Sequence, residues 1–497
     1  MILLNKRDGI VAEAEKALEI IGEYDVLVVG GGMAGVGAAI ASANAGCKTI
    51  LLERETALGG LATIGLVNIP LDEPSGVAKK MMHELRSVNA EWHRNTDPEK
   101  HKLILDRMVI ESGCDLLLHS YVVEAIVSGD TVKGVVLEGK SGRQVVLAKR
   151  IIDCSGDADV AYFAGAEYMS GRESDGKHQA CSLEFRLGGV NWDNYAESDV
   201  KKNDPRWEDA IQKALVTGDL AYEVDNHLNW ITHVPGRPEN KGMDEVSICF
   251  AHSRNCKPLD TKDLTRMYLE GREQADMLSK FIKKKITGFD GSYLIDTAPL
   301  LGVRETRRIV GEYVLEVKDL AQHRRFDDVI GVSSHGYDLH NPDGPGNIKW
   351  AKMKDNGKEY YGIVSYAAYG SSWFPEGGAD VFCDGYGRSG DEMSFPEIAS
   401  YDIPYRSLVP ERMENLAVGG RCLSSDFMAQ AGTRLVLTCM NTGEAAGTAA
   451  AISLKHDIRM RDVDRVELQS ALLDNGANLG HMYRIIPGLD KKYFDGL

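Results

Sequence analysis

Gly30, Gly32 and Gly35 fill a G-x-G-x-x-G spacing between an apolar run, Val26–Val29, and an alanine-rich stretch reaching Ala39. A second apolar run, Thr49–Leu52, closes on Glu53. The chemistry this pattern serves is the binding of a dinucleotide. Gly30 permits a tight turn, Gly32 lets the backbone approach a pyrophosphate, and Gly35 lets the next helix pack against the strand. That helix's N-terminus offers free N–H groups and a partial positive charge to the phosphates. Glu53 stands where a carboxylate can accept from ribose hydroxyls. A lone glycine pattern is weak evidence; here strand, helix and acid follow in the required order.

Three later stretches hold side chains that could act on a substrate. In Gly302-Val-Arg-Glu-Thr-Arg-Arg308, helical spacing would place Arg304 and Arg308 on one face with Arg307 beside them. They could clamp a carboxylate or polar substrate, or pair structurally with Glu305 or Glu312. The segment from Ser333 to Gly344 carries His335, Asp338, His340 and Asp343. Histidine suits proton transfer near neutral pH, although loop histidines also occur simply at surfaces. Tyr405 and Arg406 end a third stretch, where they either reach a substrate or pack at a domain junction. An aromatic zone of Tyr360, Tyr361, Tyr366, Tyr369, Trp350 and Trp373 could stack a ring or form core. His178–Arg186 reads as a strand on the same side.

These residues need elements to hold them. Residues 1–23 read as a leading helix, because Val11–Ile21 has apolar residues at helical spacing. The nucleotide core starts at Tyr24. Helices are expected around Gly76–Asn89 and Pro98–Ser112. Strands are expected at Asp115–Ser120, Val122–Val127, Thr131–Leu137 and Gln144–Leu147, with another from Ala148 towards Asp157. Residues from about 165 to 405 alternate irregularly. The core pattern returns with strand Leu416–Gly420 and a long helix from about Arg434 to Leu454. The expected domains are 1–23 (helix), 24–165 (cofactor domain, first part), 166–410 (inserted substrate domain), 411–455 (closing part) and 456–497 (helix and tail).

Composition narrows the classes. The 497 residues carry a net charge of −17, which argues against nucleic-acid or anionic-membrane partners. No apolar run approaches a membrane span, and the start lacks a signal-peptide pattern, so a cytoplasmic protein is expected. The nine cysteines form no C-x-x-C pair and no zinc or iron–sulfur spacing, so no metal site is expected.

Between NAD and FAD, the residues favour FAD. The Leu58-Gly59-Gly60 turn lies just past the ribose acid, where an extended cofactor would continue. Gly419-Gly-Arg-Cys-Leu-Ser424, then Ala431-Gly-Thr-Arg-Leu435 and a helix, supply a second glycine turn and a second helix N-terminus. Such an N-terminus stabilises the negative charge that reduction places on a flavin.

On these segments, together with Ile152–Asp159, Gly302–Glu312, Tyr401–Pro410 and Asn415–Ala450, the chain resembles the FAD-dependent oxidoreductases that share the glutathione-reductase-type flavin fold. The resemblance implies an α/β fold: a Rossmann-like FAD-binding domain with an inserted α+β substrate or cap domain. It implies that Gly30, Gly32 and Gly35 hold the pyrophosphate and Glu53 the adenosine ribose. Gly60 would lie along the ribityl chain, and Val123 would meet adenine through its backbone. Gly156 and Asp157 would close over the pyrophosphate, while Gly420, Arg421, Arg434 and Leu435 would meet the ribityl and isoalloxazine end. Met33, Ala34, Arg54, Leu61 and Ser155 complete the expected cofactor contacts. One departure stands out: where the family reads Ala-Thr-Gly-Asp-Gly-Asp, this chain has Cys154-Ser-Gly-Asp-Ala-Asp159, with less backbone freedom at Ala158.

The expected activity is hydride transfer between flavin N5 and a C–OH or C–N carbon of a small polar substrate. His340 or His335 would move the proton, with Arg304, Tyr405 and Arg406 nearby. Rival readings are reduction of an activated C=C bond, RNA or cofactor modification, and a non-catalytic FAD-binding subunit. The electron acceptor and substrate stay unassigned, and a homo-oligomer stays open.

Overall fold

A computed structural model describes residues 15–220, 224–225, 227–236, 242–333, 338–340, 342, 350–355, 358–363, 380–382, 400–482 and 484–494; for 321, 350–355, 358–363 and 380–382 it describes the backbone alone. His335, Tyr366, Tyr369 and Trp373 lie outside these residues. The side chains of Trp350, Tyr360 and Tyr361 do too, although their backbone joins a three-stranded antiparallel sheet.

The main sheet is built from β1 (Glu19–Val29), β2 (Thr49–Leu52), β3 (Asp115–Leu117), β4 (Tyr121–Ser128), β5 (Thr131–Gly139) and β6 (Gly142–Asp153). Their order across the sheet is β3-β2-β1-β6-β5-β4. β1 pairs in parallel with β2 and β6, whereas β4, β5 and β6 form antiparallel hairpins. Val26 to Val29 of β1 are buried, as a strand covered on both faces requires.

Two expectations are corrected here. Glu19–Ile21 belong to β1, not to a leading helix. Gly22 interrupts helical continuity, and pairing of Glu19 with Gln144 and Ile20 with Val145 wins over the apolar spacing. Likewise, the two strands expected at 144–147 and 148–157 are one 12-residue strand, β6. It is gripped along its length by β1 and at its start by β5.

The middle of the chain is more regular than its composition suggests. A second, antiparallel sheet contains β7 (Phe185–Val190), β8 (Trp230–His233), β9 (Asp244–Cys249) and β10 (Tyr293–Thr297) in the order β8-β9-β7-β10. It has its own core around Phe185, Trp207, Phe250 and Phe289. The chain then returns to the main sheet as β11 (Leu416–Val418), parallel to β6.

The helices that matter for the site are α1 (Met33–Asn44), α2 (Gly76–Ser87), α3 (Pro98–Glu111), α4 (Glu208–Thr217), α5 (Thr261–Lys285), α6 (Val436–His456) and α7 (Arg465–Asp474). α1 and α6 cross in backbone contact: a Cβ on Gly443 would fall 1.8 Å from the Ala34 carbonyl oxygen. Among the described residues no helix is long and apolar enough to cross a membrane.

Candidate active site

Register places the ends of four parallel strands side by side. Val29 pairs with Leu52 and with Asp153, and Asp153 pairs with Val418. Gly30, Glu53, Cys154 and Gly419 therefore emerge along one edge of the sheet, and all four line a single cleft. Carboxyl ends of parallel strands are where open α/β sheets bind ligands. Gly30 has φ +97°, and a Cβ there would lie 2.4 Å from the Cys154 carbonyl oxygen, so this turn needs glycine. Gly35 faces the Gly30 carbonyl, 1.7 Å from where its Cβ would be, which sets α1 against the strand. Gly32 differs: a Cβ there would meet nothing within 4 Å. That open space is where a cofactor's backbone can lie.

Helix ends give the cleft its charge. Among the described helices of ten or more residues, five have a carboxylate on the first turn. Asp97 accepts from Glu99 N at 2.9 Å in α3, Asp260 from Asp263 N at 2.9 Å in α5, and Asp464 from Glu467 N at 2.9 Å in α7. Glu444 accepts from Val77 N at 2.9 Å in α2, and Asp204 from Ala210 N at 3.2 Å in α4. α1 and α6 have no side-chain cap and no acidic residue of their own in the first turn, although on α6 the Thr438 hydroxyl donates to Asp72 at 2.6 Å and Leu437 N to the Leu71 carbonyl at 3.4 Å. Their N-termini open on the same cleft through Met33 and Ala34 on one side and Val436 on the other. Two uncapped, partially positive N-termini suit a pyrophosphate and an anionic reduced flavin.

Of the expected cofactor residues, Gly30, Gly32, Met33, Ala34, Glu53, Arg54, Gly60, Leu61, Ser155, Gly156, Asp157, Gly420, Arg421 and Arg434 line the cleft. Gly35, Val123 and Leu435 do not. Gly35 sits behind the turn, and at the other two positions a neighbour takes the place: Tyr121 and Val122 on β4, and Val436 on α6. The Glu53 carboxylate also ties the turn together, accepting from Gly31 N and, at 2.7 Å, from Glu55 N; burial raises its pKa. Arg421 donates to the Gly156 carbonyl at 2.8 Å and pairs with Asp157 at 2.5 Å. Ala158 takes a left-handed conformation, φ 53°, so the alanine departure is met by backbone strain and not by a new path. The opposite wall comes from the middle of the chain: Pro258, Leu264, Tyr268, Leu300, Leu301 and Val303. Sequence reasoning missed these; the visible signal was the i, i+4 spacing of Leu264 and Tyr268 on α5.

Beyond Arg434 lies a buried polar cluster whose members Asp338, His340, His252 and Arg304 do not themselves line the cleft. Arg434 Nη2 reaches Asp338 Oδ2 at 3.0 Å, and Asp338 Oδ1 is 3.1 Å from His340 Nε2. The His340 ring stacks on His252, centroids 5.4 Å apart and planes 21° apart. His252 Nδ1 lies 2.9 Å from Asp225 Oδ2, and Asn229 Nδ2 donates to its Nε2 at 3.0 Å. That network assigns the proton of His252 to Nδ1 and the lone pair to Nε2. Arg304 Nη2 stands 3.5 Å from the same Nε2. Burial, helped by the charge of Arg304, pushes His340 down to about 3, so its ring is neutral near pH 7. Burial opposes charge on Asp225 and Asp338. His252 and Arg254 overcome it at Asp225, and His340 and Arg434 at Asp338, so both carboxyls lie well below their usual range. His252, Asp225 and Asn229 escaped the sequence reading, because Phe250-Ala-His-Ser has no motif and their approach is a product of long-range pairing.

Other candidates separate. Gly302–Thr306 is not helical, and the chain runs on into the strand Arg307–Ile309, so Arg304 and Arg308 do not share a helix face. Arg308 is fully buried and paired with Glu305, and it donates to the Ser425 carbonyl at 2.9 Å. Arg307 pairs with Asp159 at 2.9 Å. Tyr405 and Arg406 do not line the cleft: Tyr405 donates to the Met460 carbonyl at 2.7 Å, and Arg406 holds Asp328 through Nε at 2.9 Å. Both are junction packing. His178 Nδ1 rests 2.7 Å from Glu305. The eight described cysteines are all free. No group of three metal-ligating side chains occurs among the described residues.

The family model for FAD dependent oxidoreductases matches residues 25–369 and 380–472, and the chain belongs to that family. It is therefore an FAD-dependent oxidoreductase. A thiamine thiazole synthase of Methanococcus vannielii is 33% identical over 152 residues, 28% of this chain and 58% of that protein. Digeranylgeranylglycerophospholipid reductase 2 of Methanopyrus kandleri is 28% identical over 204 residues, 34% of this chain and 51% of that protein. The chain thus spans a little over half the length of these curated relatives. A geranylgeranyl bacteriochlorophyll reductase-like protein from Thermoplasma acidophilum, of known structure, is 13% identical, covering 96% of this chain and 91% of that one at a TM-score of 0.44.

Proposed function

We propose that the cleft holds one extended FAD in a glutathione-reductase-type arrangement, and that the protein dehydrogenates a C–OH or C–N bond of a small polar substrate in the cytoplasm. Residues 24–165 and 411–455 form the cofactor domain, and 166–410 the inserted substrate domain. The observation that carries this reading is the pair of uncapped N-termini of α1 and α6 on one cleft, with the Asp225–His252 and His340–Asp338 pairs joined to it through Arg434.

Bound there, FAD supplies hydride chemistry. The N–H groups of α1 hold the pyrophosphate, with Gly32 leaving room for it. The N-terminus of α6 and Arg434 would meet the cofactor's redox end. His252 takes the hydroxyl or amine proton at Nε2 when the substrate displaces the Asn229 amide that donates there at 3.0 Å, while Asp225 fixes its tautomer and stabilises the imidazolium. Arg304 stabilises negative charge that develops on the substrate oxygen. Leu300, Leu301 and Val303 shield the wall from water. An imidazole whose Nδ1 is held by a carboxylate is oriented as a base, which supports oxidation; Arg304 and Arg434 as neighbouring cations support the second reading, reduction of an activated C=C bond.

The test is anaerobic. Polyols, glycosides, hydroxy acids and amino compounds are mixed with the holoenzyme while the flavin band is followed. Bleaching by one class is expected. No bleaching by any of them, with reoxidation of the reduced enzyme by enoates, would transfer the assignment to alkene reduction.

A further inference from the structure

One wall of the cleft comes from the middle of the chain: Pro258, Leu264, Tyr268, Leu300, Leu301 and Val303, all apolar but for one phenol. This wall is tied to the cofactor frame at two points. Leu300 N donates to the Ile64 carbonyl at 3.4 Å, just past the Gly59-Gly60 turn, and Arg421 Nη1 donates to the Val303 carbonyl. Behind it, Leu183, Met267 and Leu301 pack with Leu66 in one apolar cluster. The wall is therefore a fixed face of the cleft, built from residues outside the nucleotide fold.

Tyr268 has the most defined setting on this wall. On α5 it stands one turn after Leu264 and one turn before Arg272, so the three share a helix face. Its hydroxyl donates to the Pro299 carbonyl at 3.0 Å and accepts from Leu301 N at 2.9 Å. The Arg272 guanidinium lies over the ring, 5.5 Å from its centroid. A half-buried tyrosine whose hydroxyl is already engaged brings its ring to the cleft. Burial raises the phenol pKa, and the nearby charges of Glu55 and Arg54 also act on it. Arg54 and Glu55 follow Glu53, the acid at the ribose position, and line the cleft with Ser120, Tyr121 and Val122. At the other end of the wall Val303 is held by Arg421, next to Gly420. A cofactor laid from the N-terminus of α6 past that of α1 to Glu53 thus brings its adenosine half to Tyr268. A purine stacks on such an aromatic face.

We propose that Tyr268 and Leu264 hold the adenosine half of FAD, with the Tyr268 ring against the adenine, so that the inserted domain completes the cofactor site. This rests on the reading that one extended FAD lies along the cleft. Tyr268 is a binding residue in this account and takes no part in the redox step. Its contribution is to affinity, and only to that of a flavin carrying an adenylate.

The test compares FAD with FMN, which has the same ring system and ribityl phosphate but no adenosine. Full-length protein freed of flavin is titrated with each, and binding is read from the flavin fluorescence. The parent should bind FAD more tightly than FMN. Tyr268→Ala should weaken FAD about tenfold, the weight of one stacked base, and leave FMN binding unchanged. Tyr268→Phe, which keeps the ring, should recover most of that loss. In case the variants fold poorly, hydrogen exchange on the parent gives an independent arm. ADP and FAD should each slow exchange of the amides in residues 261–268, and FMN should not. Equal weakening of FAD and FMN by Tyr268→Ala would show a purely structural residue and overturn the inference. So would FAD affinity unchanged in Tyr268→Ala, a Tyr268→Phe protein as weak as Tyr268→Ala, or exchange in residues 261–268 that ADP does not alter. In each of those cases FAD still binds and the reading of the cleft stands. A parent that binds neither flavin would overturn both.

Discussion

A methyl group at Gly32 and one at Gly35 would meet opposite surroundings, so the two positions separate cofactor binding from folding. Gly32→Ala places its Cβ in open space. Stability should change by less than about 0.5 kcal/mol while the flavin-to-protein ratio after purification falls. Gly35→Ala drives a Cβ into the Gly30 carbonyl and should cost about 3 kcal/mol in a urea titration. Equal effects on folding would remove the distinction. Glu444 offers a pH test. Burial raises its carboxyl to about 7 from an ordinary 4.5. The folded state then keeps a proton that the unfolded chain releases, so this group's contribution declines as pH rises from about 4.5 to 7. Glu444→Gln removes the decline and should gain roughly 3 kcal/mol on the parent across that window, read from urea unfolding at several pH values. At this scale the glycine turn was legible because its demands are local. Arg304 was recognised as a candidate for the wrong reason, a helical spacing in a segment that is not helical. Nothing local distinguished it from Arg308; only the Glu305 pairing does.

The element that sets the cleft's width is the crossing of α1 and α6. Gly443 and Gly447 let the two backbones touch, with a Cβ on Gly447 falling 2.3 Å from the Ala38 carbonyl oxygen. Gly443→Ala should therefore push both uncapped N-termini apart, costing about 3 kcal/mol and loosening FAD in equilibrium dialysis. Asp464→Ala is the matched control: it removes the cap of α7, which does not line the cleft, should cost about 1 kcal/mol, and should leave FAD affinity unchanged. A control that loses FAD equally would show that cofactor loss merely follows instability. Most elements of the cofactor domain were legible, because buried parallel strands read as continuous apolar runs and the helices carry period and caps. The start of β1 was not. Val11–Ile21 satisfies a helical period, and the competing term is pairing with β6, which lies over a hundred residues away.

At the scale of the molecule, a cofactor frame is assembled from the two ends of the sequence, and a second sheet intervenes with its own core. The frame could be anticipated from two glycine turns and the helices after them. The second sheet could not, since its strands alternate irregularly and its order, β8-β9-β7-β10, depends on contacts across the chain. The same holds for the His252–His340 stack, which joins residues from separate parts of that region. The central claim is one of placement: a single FAD runs from the N-terminus of α1 to that of α6, with its redox end beside the histidine pair. A crystal structure of the holoenzyme tests it most directly. The pyrophosphate should lie on the N–H groups of Met33 and Ala34, and the isoalloxazine ring should lie against Arg434 and Val436. A substrate carbon at flavin N5 should then carry its hydroxyl or amine within about 2.6–3.2 Å of His252 Nε2, directly or through one water. An adenine at the α6 end, or a ring whose substrate face is walled off from His252 and Arg304, would contradict it.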